Sequence, residues 1–285
     1  MSGGLVIARF ALRECVRRRV FLIVGVLTLG FLALYGLGTW QVYRTIDEFG
    51  PTGLAGVEPP IVAGATLVGL AMFATLFLGA VLAVFLTLGV VRGDAESGLL
   101  QPVLVRPVSR GTLLVARFAA AAVVSGAYVI AVALVAMILT YAIGDWWPDR
   151  VVGPLLALAF GVAIIAAISL AGSVVLASTA NGIAVFMVFG AGLTAGLLGQ
   201  IGEGLNSETL QDVARVASWA LPFEALYQAG LAQLTADTVG FTRLAIELGP
   251  FGGAQSASPL LWLWAVAYLG LVGAAALAVF RRRDL

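Results

Sequence analysis

The sequence predicts an all-α polytopic membrane protein with six transmembrane helices. Three observations lead there. Only 11% of the 285 residues are charged while 61% are hydrophobic, against roughly 25% charged in an ordinary soluble domain. Apolar stretches near or above the ~20 residues that cover a ~30 Å hydrocarbon core recur along the whole length. Those stretches also divide the arginines unevenly between the two sides of the layer they define. No segment of soluble-domain size is left over, so residues 1–285 read as a single transmembrane domain.

Residues 1–19 hold five arginines, and Arg9, Arg13 and Arg17 recur at i+4, on one stripe of a helix, opposite Ile7, Leu12 and Val16. A basic amphipathic helix of this kind lies in the headgroup region. The first span is residues 20–40, closing on the interfacial aromatics Tyr35, Trp40 and Tyr43. The second, 61–91, is longer than a crossing requires, so it tilts or protrudes. A polar stretch, 92–112, separates it from the third span, 113–143, which has Arg117 near its start.

A tight loop with Trp146 and Trp147 leads to the fourth span, 151–177. Ser178 to Gly182 reads as a turn because Asn-Gly interrupts regular structure. The fifth span is 182–200, and the last, 260–280, ends in three arginines. Between these two, residues 201–259 contain Leu210, Val213, Ala214 and Ala217 at helical spacing opposite Glu208, Asp212 and Arg215, with Asn206 or Ser207 as N-cap. Pro222 ends that helix and can open a second. The pair is expected as an amphipathic hairpin lying on the outer membrane surface, with Glu224 and Tyr227 as a structural cap there.

Charge placement sets the orientation. With the N-terminus inside, the inner segments carry 12 Arg and four acids, the outer ones four Arg and 11 acids. Arginine density in short loops decides topology, so both termini are expected in the cytoplasm, in the inner or plasma membrane.

Absences bound the chemistry. There is no His, which removes HExxH zinc sites, paired-imidazole haem and His-dependent nucleophiles. All 16 basic residues are Arg, and without Lys a Walker A loop cannot form. Cys15 is alone and reads as a reduced thiol. Met72, Met137 and Met187 read as packing rather than a metal path. No catalytic residue, resident cofactor, metal site or nucleic-acid partner is expected in this chain. Gly192 and Gly196 form a GxxxG in the fifth span, a candidate packing or dimer face.

The polar stretch carries the most specific pattern. Glu96, Gly98 and a short apolar segment from Leu99 lead to Arg106-Pro107-Val108-Ser109-Arg110 and then Gly111-Thr112-Leu113-Leu114. This closely resembles the loop between the second and third helices of ABC-2 type transporter permeases. The basic N-terminus is similar to that family's elbow helix, and residues 221–227 (Leu-Pro-Phe-Glu-Ala-Leu-Tyr) resemble a stretch of its copper-enzyme maturation branch. Two departures are Leu99 where Thr is usual and Ala116-Arg117 where Gly-Lys is common.

The resemblance implies the permease subunit of an ATP-driven exporter. A separate ABC ATPase subunit would hold ATP and Mg²⁺, a second permease copy or a related permease would pair with this one, and membrane lipids would surround both. It further implies that Glu96, Gly98, Leu99, Arg106, Pro107, Ser109 and Arg110, with Thr179 and Asn181 of the short turn, meet the ATPase. From the residues alone, Ser178 to Gly182 is a plain turn. An ATP-independent channel or secondary transporter, or a non-catalytic membrane scaffold, is the alternative. The absence of charge within the spans weighs against ion-coupled carriage, because such charges persist in mid-membrane only for function.

Overall fold

The computed structural model describes residues 19–49, 56–88, 110–247 and 258–282. Among them are nine helices and no strand: α1 (Arg19–Phe49), α2 (Pro59–Thr87), α3 (Arg110–Gly144), α4 (Val152–Val175), α5 (Ser178–Gly204), α6 (Glu208–Ala220), α7 (Pro222–Ala232), α8 (Gly240–Glu247) and α9 (Pro259–Arg282). Six of these, α1 to α5 and α9, are long and apolar enough to cross a membrane. The basic segment 1–18 and residues 89–109 lie outside the described residues.

The helices α2 and α4 are apolar all round, the pattern of a helix covered on every side, and they form the centre. α4 packs against α2, α3, α5, α7 and α9, burying Leu158, Val162, Ile164 and Ile165 at 1% exposure or less. α1 leans on α2 and α3 and keeps Leu22, Leu29 and Leu34 exposed, as a lipid-facing helix does. Two hydroxyl pairs fasten it at the interface, Thr28 to Tyr128 and Tyr35 to Thr140, each at 2.5 Å. Polar groups can hold helices together where no hydrophobic force acts between them.

Helix ends differ from the sequence expectation for local reasons. α1 runs nine residues past the expected end at Trp40, to Phe49. Arg44 supports this last stretch, pairing with Glu48 at 2.7 Å and lying 5.3 Å from the Trp40 ring. α2 starts at Pro59, a residue suited to the first helical position because its missing N–H would have no partner there.

The larger correction concerns the fourth connection. Asn181-Gly182 does not break the chain: Ser178 to Gly182 is the first turn of α5, and only Leu176 and Ala177 link the two spans. The Leu176 N–H caps α4 on Gly172 O at 2.8 Å, which leaves room for so short a link.

All spans alternate in direction, so one end of the bundle gathers the start of α1, the ends of α2, α4 and α9, and the starts of α3 and α5. Arg281 and Arg282 close α9 there. This arginine-rich end is opposite the one that carries α6, α7 and α8.

Candidate functional site

The end of α2 and the start of α5 lie side by side. At the arginine-rich end an open apolar cleft of about 660 Å³ is lined by Phe85 and Leu88 from the end of α2 and by Ser178, Thr179, Gly182 and Phe186 from the start of α5. Residues 89–109 depart from Leu88 and return at Arg110. Glu96, Gly98, Leu99, Arg106, Pro107 and Ser109 therefore lie outside the described residues, while Arg110 opens α3. Thr179 is exposed on the cleft.

Asn181 is not a surface residue. It is fully buried and its Nδ2 donates to the Ser169 carbonyl of α4 at 2.8 Å. Ser169 in turn accepts from the Thr87 hydroxyl of α2 at 2.7 Å, and all three residues are 0% exposed. The last turn of α2, the lower part of α4 and the first turn of α5 are thus joined by one buried polar chain. Gly172 makes this possible, since a Cβ there would strike Asn181 Oδ1. That Oδ1 has no hydrogen-bond partner among the described residues. Thr87 and Ser169 carried a sequence signal that went unused: single hydroxyls inside otherwise apolar spans.

At the other end, α7 does not lie on the surface as the hairpin expectation had it. α6 descends antiparallel to α5, with Ala214 against Gly199, until Leu221-Pro222 reverses the chain and α7 climbs along α4. Phe223 is 0% exposed, stacks on Phe189 at 5.6 Å and meets Gly192. Gly192 lies about 18 Å along α5 from its Gly204 end at 1.5 Å per residue, deep relative to half of a ~30 Å core.

The two glycines of the GxxxG are therefore seats within one chain. A Cβ on Gly192 would come within 2.5 Å of the Phe223 ring, and one on Gly196 would strike Glu224 Oε1. Apolar and aromatic burial carries α7 inward, and the absence of side chains on this α5 face lets it fit. Trp264 Nε1 donates to Trp219 O at 2.9 Å, fixing the base of α6 on α9.

Glu224 and Tyr227 travel inward with α7. Glu224 is 6% exposed and its Oε1 accepts from Gln228 Nε2 at 2.9 Å. Burial pushes its carboxyl above the usual carboxylate range, against a smaller pull downward from that hydrogen bond. Burial likewise raises the Tyr227 phenol, and the neighbouring Glu224 charge raises it further; its hydroxyl donates to Gly69 O of α2 at 3.4 Å. α8 packs on the start of α2, where Thr242 Oγ1 accepts from Glu58 N at 3.0 Å.

A family model described as ABC-2 family transporter protein matches residues 5–285, nearly the whole chain. No curated protein matches the sequence.

Proposed function

The chain belongs to the ABC-2 family of transporter proteins, and on that premise we propose that it is a permease driven by a separate ATPase subunit bound at the arginine-rich end. Family membership makes it the membrane subunit of an ABC transporter, without a catalytic site of its own. The finer reading puts that end and both termini in the cytoplasm, the membrane being the inner or plasma membrane, and ATP with Mg²⁺ on the partner. It pairs the chain with a second permease copy among membrane lipids and makes the direction export. The copper-enzyme maturation branch is proposed on residues 221–227 alone.

What supports the coupling role is the convergence of Leu88 and Ser178–Gly182 on one cleft, backed by the Thr87–Ser169–Asn181 chain. An ATPase pressing on residues 89–109 and on the exposed Thr179 would move α2 and α5. Because both are hydrogen-bonded to α4, the three spans would shift together. Coupling requires the partner to contact the two states of the spans differently, and segments rooted in two joined helices provide such a lever. Asn181 serves from within, as the joint, while Glu96, Arg106 and Arg110 belong to the contact itself.

Affinity capture of the chain from native membranes tests this. A subunit with Walker motifs is expected to co-purify, and Glu96→Ala or Arg106→Ala to weaken its retention or its ATP hydrolysis. Capture without any ATPase, with both variants behaving as the parent, would return the chain to the channel or scaffold reading.

A further inference from the structure

The carboxyl of Glu224 has a setting that the permease role does not use. It sits in the first turn of α7 at 6% exposure, against Gly196 of α5, with Gln228 as its hydrogen-bonding neighbour. No described basic side chain is set against it. α2 and α4 carry no ionisable residue, and α5 carries only Glu203. α6 offers Glu208, Asp212 and Arg215, of which Arg215 pairs with Asp212 at 3.0 Å on an exposed face. α9 offers Tyr268, with Arg281 and Arg282 at the opposite end of the bundle. On α7 itself the neighbour is Tyr227, whose phenol cannot supply positive charge.

A lone buried carboxylate is costly enough that such groups neutralise instead. The neighbouring amide can serve a neutral acid as well as a charged one. Gln228 Oε1 is buried without a hydrogen-bond partner among the described residues, although buried polar atoms nearly always find one. Since the two amide atoms of Gln are assigned from their hydrogen bonds, the amide can present Nε2 to a carboxylate or, turned by half a rotation, Oε1 to a proton carried on Glu224 Oε1, with one amide atom left unpartnered either way.

We propose that Glu224 is a protonatable latch: α7 docks with this carboxyl neutral, and loss of its proton frees the helix from its seat between α4 and α5. The seat sets no described basic side chain against the charge, only the Gln228 amide and the N-terminal turn of α7, and glycines form its walls at Gly161, Gly192 and Gly196. The docked state holds the proton more tightly than the released one. Docking is therefore strongest at low pH and weakens as pH rises through the raised value of the docked carboxyl. Under the proposed orientation the latch senses the extracytoplasmic pH; that step alone rests on the permease reading, and the docking equilibrium does not.

Thiol accessibility reads this equilibrium in the full chain in lipid nanodiscs. Cys15→Ser removes the one native cysteine, and a reporter is then placed by Ala229→Cys, 1% exposed on α7, or by Val239→Cys, 78% exposed beyond it. The ratio of labelling rates at 229 and 239 cancels the pH dependence of the thiol. It is expected to climb with pH, by up to about tenfold per unit for one linked proton, and to stay low throughout with Glu224→Gln. In parallel, the infrared carbonyl band of a protonated carboxyl should fade over the same pH range. A ratio that stays flat with Glu224 intact overturns the latch, whether or not the Gln variant folds. So does a climb of equal size with Glu224→Gln, or a climb with no accompanying loss of the infrared band.

Discussion

The Thr87 hydroxyl lies 2.7 Å from the Ser169 hydroxyl, so the last residue of α2 is bonded to the interior of α4 just before the segment proposed to meet the ATPase. Ser169 is bonded through its carbonyl to Asn181 as well. Under the proposed coupling, force applied at the end of α2 or at the first turn of α5 would therefore reach the same residue of α4.

Thr87→Val and Ser169→Ala are each expected to lower stability modestly, and the double variant to lose less than the sum. Interhelical hydrogen bonds in membranes couple by about 0.6 kcal/mol on average, so a double-mutant cycle on reversible unfolding in mixed micelles should return a coupling of that order. Additive losses would mean that the two hydroxyls do not act together.

Thr179 and Asn181 should separate. Asn181→Ala removes a buried donor and opens a hole beside Gly172, at a cost on the order of 1–3 kcal/mol visible as a lower midpoint of unfolding. Thr179→Ala, at an exposed position, should leave the midpoint unchanged and instead weaken ATPase retention. Equal effects of both on stability would contradict the division between joint and contact.

Two glycines of α5, six residues apart, should respond oppositely to Ala. Gly196→Ala places a methyl on Glu224 Oε1, while Gly190 has nothing within 4 Å. The first should cost about 1–3 kcal/mol through overpacking and expose α7 to labelling. The second should be neutral or stabilising by up to about 1 kcal/mol, the helix-propensity gain. Parallel losses would show that α7 is not seated on Gly196.

The sequence supplied the spans because each is a long apolar run with little competing signal, and Pro222 marked the α6–α7 break. It did not supply the depth of α7. Glu224 and Gln228 on an 11-residue helix read as a surface element, since nothing local says that Gly192 and Gly196, some 30 residues earlier, leave a groove for Phe223. Asn181-Gly182 misled for a related reason. Turn propensity is a local preference, and burial of the Asn181 amide on the Ser169 carbonyl outweighs it. Thr87 and Ser169 were visible as polar residues in apolar spans, but only the fold could show that they meet.

Site-specific photo-crosslinking in native membranes shows whether the arginine-rich end is the ATPase face. A photoreactive amino acid at position 179 should give an adduct with a nucleotide-binding subunit, and the same group at position 239, on the opposite end, should give none. An ATPase adduct from 239, or none from 179 while the subunit still co-purifies, would contradict the account.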